Sequence, residues 1–349
     1  MRTGPIFCNL FTWTEGGSDE HTAVQTTRTW PEQQDIGEFS FIVYGDNRGD
    51  RNHEFREPHR DVACLGILRG GCIFQGGVEI DEEIVYLSDY PAFVLHSGDL
   101  VCEGGDALQW IPHFFRPAGG LLGRVPVFPC VGNHETNGDA SASKFVTLFN
   151  LPENATNPGH RERYYSFDYG NCHFVVLDTF YDWTPGIPDE DRDDFFDENS
   201  DQHAWLRSDL TQSGATWKFV IMHVPAYTGG GSHPYSAPDV TAVRDELASL
   251  VFNKSQYGVT MALSGHNHFY ERSYSDYSDG PGGVHYIVTG GGGAPLHTPN
   301  PGENPKWVYS ESVNHYCLIK LTEGGDRVVF RAYRLDGSGV EDEPLILDN

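Results

Sequence analysis

Five apolar runs, each leading within a few residues to a polar side chain, constrain this chain more than any other feature. Phe39 to Tyr44 leads to Gly45-Asp46-Asn47-Arg48, and Ala92 to Leu95 leads to His96-Ser97-Gly98-Asp99. Val125 to Val131 leads to Gly132-Asn133-His134-Glu135, Phe219 to Met222 to His223, and Val259 to Leu263 to Gly265-His266-Asn267-His268. Each run has the length of a buried strand and breaks where the polar residues begin. Helix patterns lie between them. Asp81 to Ser88 carries Ile84, Val85 and Leu87; Ser141 to Phe149 opens on a serine cap; Ser200 to Ser213 carries Trp205, Leu206 and Leu210. Pro238 to Phe252 repeats Val240, Val243, Leu247 and Val251 at spacings of three and four. Strands alternating with helices predict an α/β layered domain.

The later chain is poorer in helix. Tyr164 to Tyr169 and His173 to Leu177 read as a hairpin turned at Gly170-Asn171, while Val284 to Thr289, His315 to Leu321 and Arg327 to Leu335 read as further strands. A second sheet is therefore expected to close the fold. Pro185 to Asn199, Tyr227 to Pro238 and Gly290 to Lys306 are loops, and the first and last are expected to be mobile surface. The Gly290 to Gly293 run lacks a following helix pattern and reads as a tight turn on the site rim rather than a phosphate loop. Residues 1–37 are polar and without amphipathic pattern, which makes them an N-terminal extension to a domain over 38–349.

Fifty acidic against twenty-three basic residues give a formal charge of -27. Nucleic acid binding rests on clustered Lys and Arg, so nucleic acid is not an expected partner. No apolar run reaches the length of a membrane span. The seven cysteines are scattered without a Cys-x-x-Cys pair, which is neither a disulfide framework nor a zinc ribbon. The opening Met1-Arg2-Thr3-Gly4-Pro5 lacks a signal-peptide core, so the sequence as given reads as cytoplasmic, and as secreted or periplasmic if a leader lies upstream.

In open α/β sheets, ligands bind beyond the carboxyl ends of the strands. The five strand ends are thus expected at one rim, where two aspartates, one asparagine and three histidines converge. Oxygen and nitrogen donors in that mix suit Mn, Fe, Zn or a mixed pair, and the lack of thiolates argues against a structural zinc site.

In this order, Gly45-Asp46, Gly98-Asp99, Gly132-Asn133-His134-Glu135, His223 and Gly265-His266-Asn267-His268 resemble the five motifs of the calcineurin-like metallophosphoesterases. The flanks, His223-Val224-Pro225-Ala226-Tyr227 and His268-Phe269-Tyr270-Glu271-Arg272-Ser273, resemble the purple acid phosphatase branch. The resemblance covers roughly Phe39 to Leu335. It implies a four-layer α/β/β/α fold and two divalent or mixed-valence transition metal ions. Asp46 and His268 would bind the first ion, Asn133, His223 and His266 the second, and Asp99 would bridge them. It implies hydrolysis of a small-molecule phosphate ester, monoester favoured, by a metal-bridging hydroxide. His134 resembles the histidine that faces the leaving group, and His233 sits where that branch carries a substrate-facing histidine.

Two positions depart from the family pattern. Most of the superfamily has histidine two residues after the first aspartate, where this chain has Arg48; the purple branch has tyrosine three residues after the second, where this chain has Cys102. Arginine is no metal ligand but can hold phosphate oxygens bidentately. Water, Cys102, His53 or His59 are then the candidates to complete the first site. A phosphodiesterase acting on cyclic nucleotides or phospholipid headgroups, and a catalytically weak phosphate- or metal-binding module, are the alternatives. Oligomeric state is open at this level.

Overall fold

The structure is a computed structural model that describes residues 36–49, 91–123, 125–179, 200–252, 254–276 and 283–349. Nearly all of the N-terminal extension, the expected helix from Asp81 to Ser88, the loop from Pro185 to Asn199, and His53 and His59 lie outside them.

Two mixed sheets stack face to face. The first contains β1 (Phe39–Tyr44), β2 (Val94–His96) and β3 (Val127–Pro129) from the early chain. The second begins with β4 (Tyr165–Tyr169), β5 (Cys172–Val176), β6 (Trp217–Ile221), β7 (Val259–Ser264), β8 (Tyr270–Ser275), β9 (Val284–Thr289) and β10 (Trp307–Glu311). The chain then returns to the first sheet with β11 (His315–Thr322), β12 (Arg327–Arg334) and β13 (Leu345–Asp348). The strand orders are β13-β12-β11-β1-β2-β3 and β10-β8-β9-β7-β6-β5-β4. The parallel pairs are β1 with β2, β2 with β3, β5 with β6, β6 with β7, and β7 with β9.

The space between the sheets is filled by phenylalanine. Phe41 lies 5.1 Å from Phe174 and 5.3 Å from Phe219, ring centre to ring centre, and Phe93 lies 5.1 Å from Phe174. Edge-to-face pairs of this kind contribute about 0.5–1.5 kcal/mol each beyond area burial. Strand alternation sends the neighbouring residues outward. Thus Phe219 and Ile221 join the inter-sheet core, while Val220 and Met222 pack with Trp205, Leu206, Val243 and Leu247 under the helices of the second sheet. Helices over the outer face of each sheet complete the four layers, as expected. None is long and apolar enough to cross a membrane among the described residues.

Several local expectations need correction. The helix expected to open on a serine cap spans Ser143–Leu148 with Ala142 at its cap, and it is Asp139 that receives the Ser143 N–H at 2.8 Å. The amphipathic run from Pro238 stops being helical at Ala248, after a wider π turn over Val243–Ala248. Gly290 to Ala294 is buried rather than mobile surface. The Gly292 N–H donates to the Gly45 carbonyl at 2.8 Å, and that of Ala294 to the Asp46 carbonyl at 2.8 Å, so the run seals the end of β1.

Candidate metal centre

The five strand ends meet, but not at one open sheet. Asp46, Asp99 and Asn133 follow β1, β2 and β3 of the first sheet, whereas His223 and His266 follow β6 and β7 of the second. Backbone hydrogen bonds tie them together: Asp46 N–H to Gly98 O at 3.0 Å, Gly45 N–H to Thr289 O at 3.1 Å and Gly265 N–H to His223 O at 3.0 Å. Asn133 does not sit on an extended loop; it begins a single helical turn, Asn133–Thr136.

Asp46, Asp99 and His266 all have positive φ, 58°, 58° and 70°. That region disfavours residues bearing a Cβ and persists only where surroundings over-determine it. Here it lets a chain leaving a buried strand turn its next side chain back across the strand end. The glycines beside them leave room for this. A Cβ on Gly265 would overlap Asp46 Oδ2, and Gly98, itself at φ +89°, would bring one to 2.7 Å from His223 Nδ1.

Three imidazoles are each anchored through one ring nitrogen. His223 Nδ1 donates to the Ser97 carbonyl at 2.7 Å, His268 Nδ1 to that of Pro295 at 2.7 Å, and His266 Nε2 to Asp239 Oδ2 at 2.8 Å. Their other nitrogens face inward. His223 Nε2 is 3.0 Å from Asn133 Oδ1, 3.1 Å from His266 Nδ1 and 3.3 Å from Asp99 Oδ1. His266 Nδ1 is 3.1 Å from Asn133 Oδ1, while His268 Nε2 is 3.5 Å from Asp46 Oδ1. Burial pushes the His266 ring down to about 4, which keeps its inward nitrogen a lone-pair acceptor. Burial opposes charging of His223, but Asp99 and Asp46 outweigh it and raise its pKa above the ordinary value, so positive charge is favoured among these atoms, as a proton on His223 or as a cation held by the same nitrogens and oxygens. The donor set therefore fits the expected metals: Asn133, His223, His266 and Asp99 could hold one ion, and Asp46, Asp99 and His268 a neighbouring one.

Burial opposes ionisation of Asp46, but the His268 hydrogen bond and the His223 charge outweigh it and hold its pKa below the ordinary value. Asp99 is likewise lowered; burial is opposed by His134, His223 and Arg48. Both carboxylates are thus charged.

The remaining predicted residues ring this centre. Arg48 Nε lies 3.4 Å from Asp99 Oδ2. The His134 N–H donates to Asp99 Oδ1 at 3.1 Å, its Nδ1 to the Cys102 carbonyl at 2.6 Å, and its Nε2 lies 3.7 Å from Asp99 Oδ2. His233 lies with its ring centre 3.5 Å from that of His266, and is a third exposed. What Cys102 brings to the site is its carbonyl. It belongs to neither cluster of metal-capable side chains found among the described residues, Asp46 with Asp99 and His223, and His233 with Asp239 and His266.

Four residues without a sequence-predicted role shape the site. Glu135 is buried, and its carboxylate accepts the N–H groups of Asp99, Leu100 and Gly132 at 2.8 Å and of Val101 at 3.3 Å. Burial raises its pKa to about 7. His96, kept neutral because burial lowers it to about 3, receives the Gly98 N–H and donates to Asn47 Oδ1 at 2.6 Å. Asp239 joins His233 and His266, and His297 stacks on His268 at 4.0 Å while receiving its N–H. Glu135 was in view beside Asn133; Asp239 and His297 carry no local signal because only folding brings them here.

Residues 79–270 match the family model for calcineurin-like phosphoesterases, a span that begins after Asp46 and includes every other predicted metal-facing residue. The chain is 31% identical over 182 residues to purple acid phosphatase 23 of Arabidopsis thaliana, covering 50% of this chain and 35% of that protein. It is 27% identical over 259 residues to purple acid phosphatase 22 of the same plant, covering 68% and 52%. The chain thus spans about a third to a half of the length of these relatives. A purple acid phosphatase structure from yellow lupin (Lupinus luteus) seeds superposes with a TM-score of 0.68 at 19% identity, over 93% of this chain and 56% of that one. This last likeness is one of fold.

Proposed function

Because the chain belongs to the calcineurin-like phosphoesterase family, we propose that it is a metal-dependent hydrolase of small phosphate esters, working through two adjacent ions and favouring monoesters. The observation that carries the reading is the convergence of Asn133 Oδ1, His223 Nε2 and His266 Nδ1 within 3.1 Å of one another beside Asp99. When bound, two such ions supply a water acidified to near-neutral pKa and offset charge at phosphorus.

The chain's own side chains then have separate work. Asp99 and Asp46 hold negative charge at the floor of the site. His134 is fixed by the bond of its Nδ1–H to the Cys102 carbonyl, so its Nε2 is the nitrogen turned to the leaving oxygen, to which the imidazolium form would give its Nε2 proton. Arg48, at the Asp99 carboxylate, and His233, at the exposed edge, are donors for the phosphoryl oxygens. Two donors beside the ions suit a monoester dianion, whose three terminal oxygens all need partners. Mn, Fe and Zn all agree with the donor set.

Turnover of an aryl phosphate by Mn- or Zn-loaded protein tests this. The reading expects two ions per chain and monoester hydrolysis exceeding diester hydrolysis, with activity lost in His134→Ala. The first site supports a second reading, a phosphate- or metal-binding module, because only Asp46, Asp99 and His268 furnish it among the described residues. One ion per chain, with neither ester turned over above the His134→Ala level, would select that module.

A further inference from the structure

We propose that Asp239 is a positioning residue that sets two imidazoles of the site at once, the metal-facing His266 and the phosphate-facing His233. The His266 half rests on metal binding alone; the His233 half rests on the phosphoesterase reading above.

The geometry is specific to this pair. His223, His268 and His134 are anchored on backbone carbonyls, those of Ser97, Pro295 and Cys102. His266 and His233 instead share one carboxylate oxygen. Asp239 Oδ2 lies 2.8 Å from His266 Nε2 and 3.0 Å from His233 Nδ1. Its other oxygen, Oδ1, accepts the Val240 N–H at 2.9 Å, so the carboxylate is fixed by its own helix before it meets either ring. An ionised carboxylate only accepts hydrogen bonds. Both facing nitrogens must therefore carry hydrogen.

The consequence for each ring follows. With Nε2 protonated, a neutral His266 turns the Nδ1 lone pair toward Asn133 Oδ1 and His223 Nε2, each 3.1 Å away. A carboxylate on the far nitrogen makes an imidazole a more basic ligand than a carbonyl does, and such partners typically matter 10–100-fold in affinity or activity. With Nδ1–H bound to the same oxygen, His233 is held over His266 at 3.5 Å between ring centres, and the Nε2–H of its imidazolium form, whose charge Asp239 offsets, is its remaining donor for an anion. A change of metal occupancy at His266 and of anion contact at His233 would thus pass through one atom.

The test uses the full chain and three substitutions. Chelator competition with Zn or Mn alone, and inhibition by inorganic phosphate of the metal-loaded protein, are the two readouts, with circular dichroism to establish folding. Asp239→Asn is expected to weaken metal binding roughly 10–100-fold and to weaken phosphate binding. His233→Ala is expected to weaken phosphate but not metal, and to have no further effect on phosphate when added to Asp239→Asn. Asp239→Glu keeps the charge but moves the oxygens, and carries the same test should Asp239→Asn not fold. Folded Asp239 variants with unchanged metal affinity would overturn the His266 half. Full additivity of the Asp239 and His233 changes on phosphate would overturn the shared anchoring. If the parent protein turns over no phosphoester, the hydrolase reading falls while the metal titration still decides the role of Asp239 toward His266.

Discussion

His266 Nδ1 and His223 Nε2 face each other at 3.1 Å from the carboxyl ends of the neighbouring parallel strands β7 and β6, and each ring is bound at its far nitrogen. A cation between them would tie the two strand ends together. Removing metal with a chelator should therefore lower the thermal midpoint, and adding Zn or Mn should restore it. At a hundredfold excess over the dissociation constant, the stabilisation is about 2.7 kcal/mol per site. Asp99→Ala should lose both ions by elemental analysis. Two ions retained in that variant would rule out the bridging role.

Arg48 brings its Nε to 3.4 Å from Asp99 at the position where most of the superfamily carries histidine. A charge-assisted hydrogen bond to phosphate contributes about 1.5–3 kcal/mol. Arg48→Ala should accordingly raise the inhibition constant for inorganic phosphate about 10- to 100-fold. Metal content should stay at the parent level. An unchanged phosphate constant would leave Arg48 as a partner of Asp99 and nothing more.

Glu135 gathers four backbone N–H groups from the segments following β2 and β3. Glutamine in its place keeps the shape but turns an amide NH2 against donors. Each buried donor left unmet costs about 1–3 kcal/mol. Glu135→Gln should lower unfolding free energy by about 2–5 kcal/mol in urea titration. A loss below about 1 kcal/mol would mean these segments hold their shape without it.

His173 on β5 lies between Asp168 of β4 at 2.7 Å and Asp209 of the helix Asp201–Gln212 at 2.8 Å. Burial opposes charging of the ring, but the two carboxylates outweigh it and raise its pKa to about 9. A pKa raised above its unfolded value of 6.5 stabilises fully below pH 6.5 and loses that effect as pH rises through 9. The contribution is up to ~3 kcal/mol. Stability should fall between these pH values in the parent protein and fall less in His173→Gln. Parallel pH curves for the two would refute the clamp.

Much of this fold was legible because a buried strand must be apolar and must stop where polar groups begin. The hairpin at Gly170-Asn171 and β9 over Val284–Thr289 emerged at nearly the expected bounds for that reason. Shorter elements escaped. The helical turn at Asn133–Thr136 and the π turn over Val243–Ala248 depend on packing rather than on period. The buried glycine run from Gly290 looked like exposed loop because glycine gives no hydropathic sign of burial.

By itself, the sequence determined which donors stand at the strand ends and why glycine flanks them, since donor chemistry and the absence of a Cβ are properties of single residues. Only the tertiary structure decided which nitrogen of each histidine faces the centre. That choice belongs to partners far away along the chain: Ser97 for His223, Pro295 for His268 and Asp239 for His266. The same distance hid Asp239 and His297, because a hydrogen bond across the fold leaves no periodicity in the chain that makes it.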